Sequence, residues 1–208
     1  MLNYDLICLF VGLNVLTYLI LHIILEIKYR KKDFDNLNIS NKPKPWNNHI
    51  DQIFTVLPSI YLWLLFLLIP FTVFIEDHPF YSLLFVKLQN PVSELVQTIG
   101  LIFIFMGTLV AILGRIARGI YAISWGLPNK IIKYGIFKYI RHPLYSSYIF
   151  YFIGLQLAFV SFIMIPLLFG IIGYYLSSLY EETILLENFG DEYKNYMKQT
   201  KRFIPWIW

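Results

Sequence analysis

The sequence predicts an all-α integral membrane protein with five transmembrane helices, of which the last two form a helical hairpin. Hydrophobic residues make up 58% of the 208 residues and charged residues only 14%, whereas soluble domains are about 45–50% apolar. Several apolar runs reach the roughly 20 residues that a helical span needs. Lys and Arg also alternate between the connections of these runs. We therefore expect one membrane domain, residues 1–208.

The first three spans are predicted from long apolar runs. These runs cover about residues 4–27, 53–75 and 95–114, and each is long enough to cross about 30 Å of hydrocarbon. We expect the third helix to continue toward Trp125. No basic residue precedes Lys28 and no small-residue cleavage pattern follows the first run, so we expect that run to remain as a span.

The last two spans are predicted from the apolar stretch between Pro143 and Glu187, which is too long for one ordinary helix and long enough for two. Proline is tolerated in the first turn of a helix and disrupts its interior. We therefore expect Pro143 to begin the fourth helix, and the break before the fifth to lie between Ser161 and Pro166. A tight turn there makes the two helices a hairpin.

The basic residues predict the orientation of these spans. Six Lys or Arg lie in residues 28–52, one in 76–94, six in 115–142, none at the hairpin tip and four in 188–208. Cytoplasmic loops carry an excess of Lys and Arg. The two basic loops and the C-terminus are therefore expected in the cytoplasm, and an odd number of spans leaves the N-terminus outside.

Composition also excludes some functions. The net charge is +4, but the basic residues lie beside apolar runs, where anionic lipid headgroups account for them. We expect neither nucleic-acid binding nor a metal site. The single cysteine, Cys8, cannot form an intrachain disulfide. The sequence does not predict an oligomeric state.

A polar face on the fifth helix is the first candidate for chemistry. It consists of residues spaced i, i+3, i+4 and i+7, namely Tyr174, Ser177, Ser178 and Glu181. Acidic groups near hydrocarbon are costly, so Glu181 and Glu182 are expected to meet a cation inside the protein or in a water-filled cavity. The alternative is that both reach water among the headgroups.

The start of the fourth helix is the second candidate. Pro143 at the first helical position leaves His142 beside unpaired backbone N–H groups and the positive end of the helix dipole, a place suited to a carboxylate or a phosphate. Individually, His142, Arg141 and Tyr145 have ordinary structural explanations. A hairpin, however, brings them beside Glu181 and Glu182. We therefore expect a cytoplasm-facing pocket with charges of both signs.

Three segments carry a family resemblance: GIFKYIRHPLY (135–145), Gly154 and EETILLENFGDEYKNYMKQTKRFIP (181–205). In this order they resemble the C-terminal part of the isoprenylcysteine carboxyl methyltransferase and phospholipid methyltransferase family. The resemblance implies a membrane enzyme that takes S-adenosylmethionine from the cytoplasm and methylates a lipid-borne acceptor arriving from the bilayer. Residues 1–114 would then anchor the protein, and residues 115–208 would bind the cofactor and carry out catalysis.

The resemblance also implies cofactor-binding residues. The family's HP-x-Y segment and its cofactor-binding Glu fall on His142, Pro143, Leu144, Tyr145 and Glu181. An upstream cofactor segment falls on Asn129, Lys130, Ile131 and Ile132, with Asn129 in the place of a histidine, and an aromatic position falls on Phe137. His142 and the helix N-terminus would meet the cofactor carboxylate, Glu181 its ammonium, and Tyr145 or Phe137 its sulfonium or adenine.

One departure concerns the acceptor. The carboxyl methyltransferases of this family place an Arg one turn before the Glu, where it holds the substrate carboxylate, and here that position is Ser177. Arg202 would replace this Arg if residues 191–199 form an interfacial helix; headgroup binding is its alternative. Glu182 or His142 would act as a base if the acceptor were a protonated amine. Ser177, Glu182 and Arg202 are therefore the candidate catalytic residues.

Several functions remain open. The carboxylate of a prenylated cysteine is the preferred acceptor, and a phospholipid amine or a thiol is the alternative. A membrane reductase is a more distant candidate: sterol reductases share an RHP and a C-terminal R-x-x-P that resembles RFIP, but they are longer and differ in acidic and Trp pattern at FGDEY. A non-catalytic membrane protein is the last candidate, and it would not require a cofactor pocket.

Overall fold

The computed structural model describes residues 2–30, 49–74, 92–119 and 130–205, and most of the described residues are helical. Within these ranges five α-helices follow one another: α1 (Tyr4–Arg30), α2 (His49–Leu68), α3 (Val92–Arg118), α4 (Pro143–Phe159) and α5 (Ile165–Gln199). Short 3₁₀ helices lie at Ile69–Phe74, Gly135–Lys138 and Phe162–Met164. The described residues contain no strand beyond a single parallel bridge between Ile140 and Lys201. The all-α prediction is confirmed.

In the part of the chain that the structure describes, four segments are long and apolar enough to cross a membrane: Tyr4–Tyr29, His49–Thr72, Ser93–Arg118 and Phe162–Gln199. Large apolar side chains such as Leu13 (63% exposed) and Phe169 (50% exposed) cover their outer faces, as lipid-facing surfaces require. The protein is therefore an integral membrane protein. The 17 residues of α4 span about 26 Å at 1.5 Å per residue. The fifth crossing, like the orientation of the spans, stays a prediction.

α3 ends earlier than the sequence predicted. The helix was expected to continue toward Trp125, but it ends at Arg118, and Gly119 follows with φ +56°. A glycine in the left-handed region is a common helix terminator, because it adopts this conformation without a steric cost. The expected continuation was therefore wrong. Trp125 and the candidate residue Asn129 lie outside the described residues.

α4 and α5 are joined by a short turn between Val160 and Met164. Val160 adopts a left-handed conformation at the end of α4, and the Ser161 side chain accepts a hydrogen bond from the Ile163 amide. Pro166 lies in the first turn of α5. The break therefore lies where the prolines predicted it, and α4 and α5 contact each other directly.

The backbones of α3 and α4 approach each other at two glycines. A Cβ atom added to Gly100 would lie 2.4 Å from the backbone nitrogen of Ala158, and one added to Gly154 would lie 2.9 Å from the Gly100 carbonyl oxygen. Small residues permit this approach in membrane helix pairs. The contact fixes α4, and with it the start of α4, against the end of α3.

α5 bends at Gly190, whose backbone (φ 51°, ψ −127°) is not helical. The residues after the bend, 191–199, form the short helix that the sequence predicted. Tyr193 and Tyr196 on this helix are buried, and the Tyr196 hydroxyl donates to the Phe137 carbonyl oxygen at 2.7 Å. The end of α5 is thereby held against the segment that precedes α4.

Candidate active site

A cavity of about 190 Å³, measured as the space open to the centres of water molecules, lies between the ends of α3, α4 and α5. Eight of the predicted cofactor-binding residues line it: Ile131, Ile132, Phe137, His142, Pro143, Leu144, Tyr145 and Glu181. Four other candidates that the structure describes, Lys130, Ser177, Glu182 and Arg202, do not line it. Lys130 is exposed, while Ser177 and Glu182 are buried behind the wall. The site therefore combines the start of α4 with the second half of α5.

Glu182 is the centre of an ionic cluster. Its side chain is only 4% exposed, and its carboxylate accepts hydrogen bonds from Arg141 Nε at 2.8 Å and from Arg202 Nη2 at 2.6 Å. His142 Nε2 lies 3.1 Å from the same carboxylate. A buried carboxylate requires this kind of compensation, since desolvation is costly without it. The prediction that Glu182 meets a cation is confirmed.

Backbone hydrogen bonds tie the C-terminal segment to the start of α4. Arg141 and His142 donate their amides to the carbonyl oxygens of Lys201 and Arg202, at 2.8 and 3.1 Å. The Ser146 hydroxyl donates to the Phe203 carbonyl oxygen at 2.8 Å. Arg141 also donates to the Thr200 carbonyl oxygen. The segment after α5 is therefore held beside the residues that precede α4.

His142 lies between two carboxylates. Its Nδ1 is 3.4 Å from Glu181 Oε2 and its Nε2 is 3.1 Å from Glu182 Oε1, while its ring stacks on Tyr145 with centroids 5.3 Å apart. Burial alone would lower the pKa of His142, but its hydrogen bonds to Glu181 and Glu182 outweigh burial and raise that pKa above its ordinary value. Both ring nitrogens can donate only in the protonated form. The geometry therefore favours an imidazolium.

Glu181 differs from its neighbour because it faces the cavity. Its side chain is 34% exposed, against 4% for Glu182. It therefore presents carboxylate oxygen to a ligand while His142 holds it from behind. This gives the two adjacent glutamates separate environments, one in the wall and one on its surface.

Arg202 does not lie on the cavity wall. Its guanidinium contacts Glu182 through both Nε, at 3.2 Å, and Nη2, and it lies over the Tyr175 ring at 5.4 Å from the centroid. The hydrogen bond to Glu182 raises the pKa of Arg202. Its observed role is to hold the C-terminal segment against α5.

The polar face of α5 mostly contacts α2. Ser177 Oγ lies 3.0 Å from Thr55 Oγ1, and the Tyr174 hydroxyl lies 2.9 Å from Ser59 Oγ. The helical spacing was read correctly as one face. At Ser177 this face is buried between α5 and α2, so the Ser177 side chain does not reach the cavity.

Arg115 and Tyr18 are wall residues that the sequence did not single out. Arg115 Nε donates to the Tyr18 hydroxyl at 2.9 Å, and Nη1 lies 3.1 Å from His22 Nδ1. Arg118, one turn later, also lines the cavity. The available signal was the position of these two arginines at the predicted cytoplasmic end of α3, where they were counted only as markers of topology. Among the described residues, no group of three His, Cys, Asp or Glu could hold a metal ion.

Comparison with known proteins shows which proteins this chain resembles. The sequence profile named phospholipid methyltransferase matches residues 95–192. A probable protein-S-isoprenylcysteine O-methyltransferase of Oryza sativa subsp. indica is 25% identical over 138 residues, which cover 63% of this chain and 71% of the relative. The protein-S-isoprenylcysteine O-methyltransferase of Schizosaccharomyces pombe is 28% identical over 128 residues, covering 58% of this chain and 54% of the relative. The matched residues lie in an all-helical membrane fold, and through them this chain is similar to the isoprenylcysteine carboxyl methyltransferase and phospholipid methyltransferase family.

Proposed function

We propose that this membrane methyltransferase uses S-adenosylmethionine as its methyl donor and binds it in the cavity between α3, α4 and α5. The observation that carries the proposal is the arrangement of His142 and Glu181, which presents one partly exposed carboxylate at the uncapped start of α4. These residues fall inside the segment that matches the family profile.

The wall provides a suitable group for each part of the cofactor. Glu181 suits the ammonium, and the start of α4, which has no side-chain cap among the described residues, suits the carboxylate. Tyr145 and Phe137 offer aromatic faces for the sulfonium or the adenine. When bound, S-adenosylmethionine supplies an electrophilic methyl group.

The protein's own residues would act by positioning. Transfer of a methyl group needs alignment of the reacting atoms and exclusion of water rather than covalent help. Apolar wall residues such as Ile131, Ile132 and Ile184 would exclude water. Glu182 would hold Arg141, His142 and Arg202 in register, and Ser177 would pack α5 on α2. We thus propose supporting roles for the three residues first considered as catalytic.

We propose a lipid-borne carboxylate, such as that of a prenylated cysteine, as the acceptor. The names of the relatives from Oryza sativa and Schizosaccharomyces pombe support this substrate class. A carboxylate requires no general base, which agrees with a Glu182 that is already engaged by three cationic side chains. A phospholipid amine is the second candidate, favoured by the name of the matching profile. A thiol is a further alternative.

The cavity would open to the cytoplasm, and the N-terminus would lie outside. The basic residues counted along the chain support this orientation, since the loop that contains Lys133 and the C-terminal segment that contains Lys201 would share one side of the membrane.

The direct test is to incubate the purified protein with S-adenosylmethionine labelled in its methyl group and a native lipid extract, and to identify the labelled lipid. We expect label in a lipid methyl ester, the uncharged product of methylating a carboxylate. Glu181→Gln should weaken S-adenosylmethionine binding, measured by calorimetry, at least ~10-fold. Lys133→Gln, which removes an exposed pair with Glu192, is the matched control. Unchanged affinity in Glu181→Gln would contradict the cofactor assignment.

A further inference from the structure

We propose that Arg115 binds the acidic head of an amphiphilic acceptor whose apolar chain lies in the aromatic crevice between α1, α2 and α4. This inference rests on the proposed methyl transfer and adds a substrate-binding residue to it.

The first argument is the charge of the wall. Arg115, Arg118 and Arg141 all line the cavity, and Glu181 does too. Arg141 is paired with Glu182 and Glu181 contacts His142. In contrast, the hydrogen-bonding partners of Arg115 within the described part of the chain are a tyrosine hydroxyl and a histidine ring. Because neither partner is a carboxylate, an anionic ligand would offset the charge of this half-buried guanidinium.

The second argument is that Arg115 is held in place with donors to spare. Nε and Nη2 both donate to the Tyr18 hydroxyl, and Nη1 contacts His22. The guanidinium carbon also lies 5.1 Å from the centroid of the Tyr18 ring. Since a guanidinium has five N–H donors, one remains on each terminal nitrogen. Two such donors match the two oxygens of a carboxylate or of a phosphate.

The third argument is an aromatic crevice that begins at the same place. Tyr18, Ser147 and Tyr148 belong both to the cavity wall and to the wall of this narrow crevice. Its other walls include Val15 of α1 together with Leu62 and Trp63 of α2. All of these residues belong to helices that form or adjoin the membrane-spanning part of the protein. The space open to the centres of water molecules in this crevice is only about 10 Å³, so an apolar chain would have to move its aromatic walls apart to enter. Its head would then lie beside Arg115.

Together these features select an amphiphile with a negative head. An ammonium head at this point would lie next to Arg115 and its neighbour Arg118, and like charges in a poorly solvated site repel each other. The chemistry fits a carboxylate of a prenylated cysteine and a phosphate of a lipid equally well, so the test must separate these two sources.

The test compares ligands that share a farnesyl chain and differ in the head. Calorimetry in detergent would measure binding of N-acetyl-S-farnesylcysteine, its carboxamide and farnesyl phosphate to the unchanged protein and to Arg115→Gln, Arg115→Lys and Lys133→Gln. We expect the unchanged protein and Lys133→Gln to prefer an acidic compound over the carboxamide by at least ~10-fold. Arg115→Gln should reduce this preference to less than ~3-fold, and Arg115→Lys should retain part of it.

The acidic compound that binds more tightly identifies the class of acceptor. Preference for the carboxylate indicates a prenylcysteine-like acceptor, and preference for the phosphate indicates a phospholipid-like acceptor. A preference that persists in Arg115→Gln, or that is absent from the unchanged protein, overturns the proposal. If Arg115→Gln cannot be purified in folded form, Tyr18→Phe, which removes the hydroxyl that holds Arg115, should also reduce the preference. Affinity for S-adenosylmethionine, measured on the same samples, separates the two proposals. If the unchanged protein does not bind S-adenosylmethionine, only the assignment of the methyl donor is contradicted.

Discussion

At Glu182 one carboxylate meets three cationic side chains from two separate parts of the sequence. Arg141 and His142 precede α4, while Arg202 follows α5. Neutralising this carboxylate would leave two arginines close together with no negative charge between them. Removal of one member of a buried ionic cluster is costly for this reason, whereas exposed ion pairs contribute little.

We expect Glu182→Gln, which keeps the size of the side chain, to lower the free energy of unfolding by about 3 kcal/mol. Denaturant or thermal unfolding in detergent measures this loss. Glu192→Gln is the control, because Glu192 pairs with Lys133 at the surface, where both side chains are about half exposed. That change should cost less than about 1 kcal/mol. Equal losses in the two variants would show that Glu182 is not the structural centre of the site.

His142 makes stability depend on pH. Its pKa is raised in the folded protein above the ordinary value of 6.5, because its contacts with Glu181 and Glu182 outweigh the opposing effect of burial. The imidazolium therefore adds stability that is fully present below pH ~6.5 and is lost as the pH rises through the folded-state pKa. We expect the melting temperature to fall as the pH rises above about 6.5, and to fall less in His142→Gln. If the melting temperatures of the unchanged protein and of His142→Gln depended on pH in the same way, this role of His142 would be refuted.

Helix contacts are the next scale, and the backbones of α3 and α4 approach each other closely at Gly100. A methyl group at Gly100 would meet backbone atoms of α4, which cannot move aside as a side chain can. At Gly114 on the same helix, an added Cβ would lie 3.2 Å from the end of the Leu144 side chain. The two glycines therefore differ in how much an alanine would disturb.

Gly100→Ala should destabilise the protein by at least ~2 kcal/mol through overpacking, despite the better helix propensity of alanine. Gly114→Ala should change stability by less than ~1 kcal/mol. Thermal unfolding of both variants in the same detergent provides the comparison. If Gly100→Ala were as stable as Gly114→Ala, the close approach of α3 and α4 would be incorrect.

The helices could be predicted because apolar runs and prolines are local signals. The break between Val160 and Pro166 and the helix after Gly190 both follow from residues at those positions. The end of α3 was missed because apolar residues continue past Arg118, while the terminating conformation of Gly119 depends on backbone geometry. Polar periodicity correctly grouped Tyr174 with Ser177, but it could not indicate that α2 would cover Ser177.

The same difference between local signals and distant contacts applies to the site. His142, Tyr145 and Glu181 belong to motifs in which each residue lies near its neighbours in sequence. Arg115 on α3 contacts Tyr18 on α1, 97 positions away in the sequence. Without knowledge of this contact, the sequence predicts only that Arg115 marks the cytoplasmic side. Arg202 was expected at the mouth of the pocket as a substrate arginine, but it contacts Glu182 on α5 and does not line the cavity.

At the scale of the whole molecule, the orientation in the membrane can be tested directly. In a background with Cys8→Ser, Phe162→Cys at the 80% exposed turn between α4 and α5 should react with a membrane-impermeant thiol reagent in intact cells. Lys31→Cys and Lys133→Cys should react only after permeabilisation, because both belong to loops predicted in the cytoplasm. Labelling of Lys133→Cys in intact cells would reverse the proposed orientation.

The hydrogen bonds between residues 139–142 and 200–203 also fix an order of events during biosynthesis. Arg141 and His142 leave the ribosome about sixty residues before their backbone partners Lys201 and Arg202. α4 and most of α5 are therefore synthesised while this wall of the cavity is still incomplete. The nascent chain cannot assemble the full ionic cluster until Arg202 has been added and has left the exit tunnel.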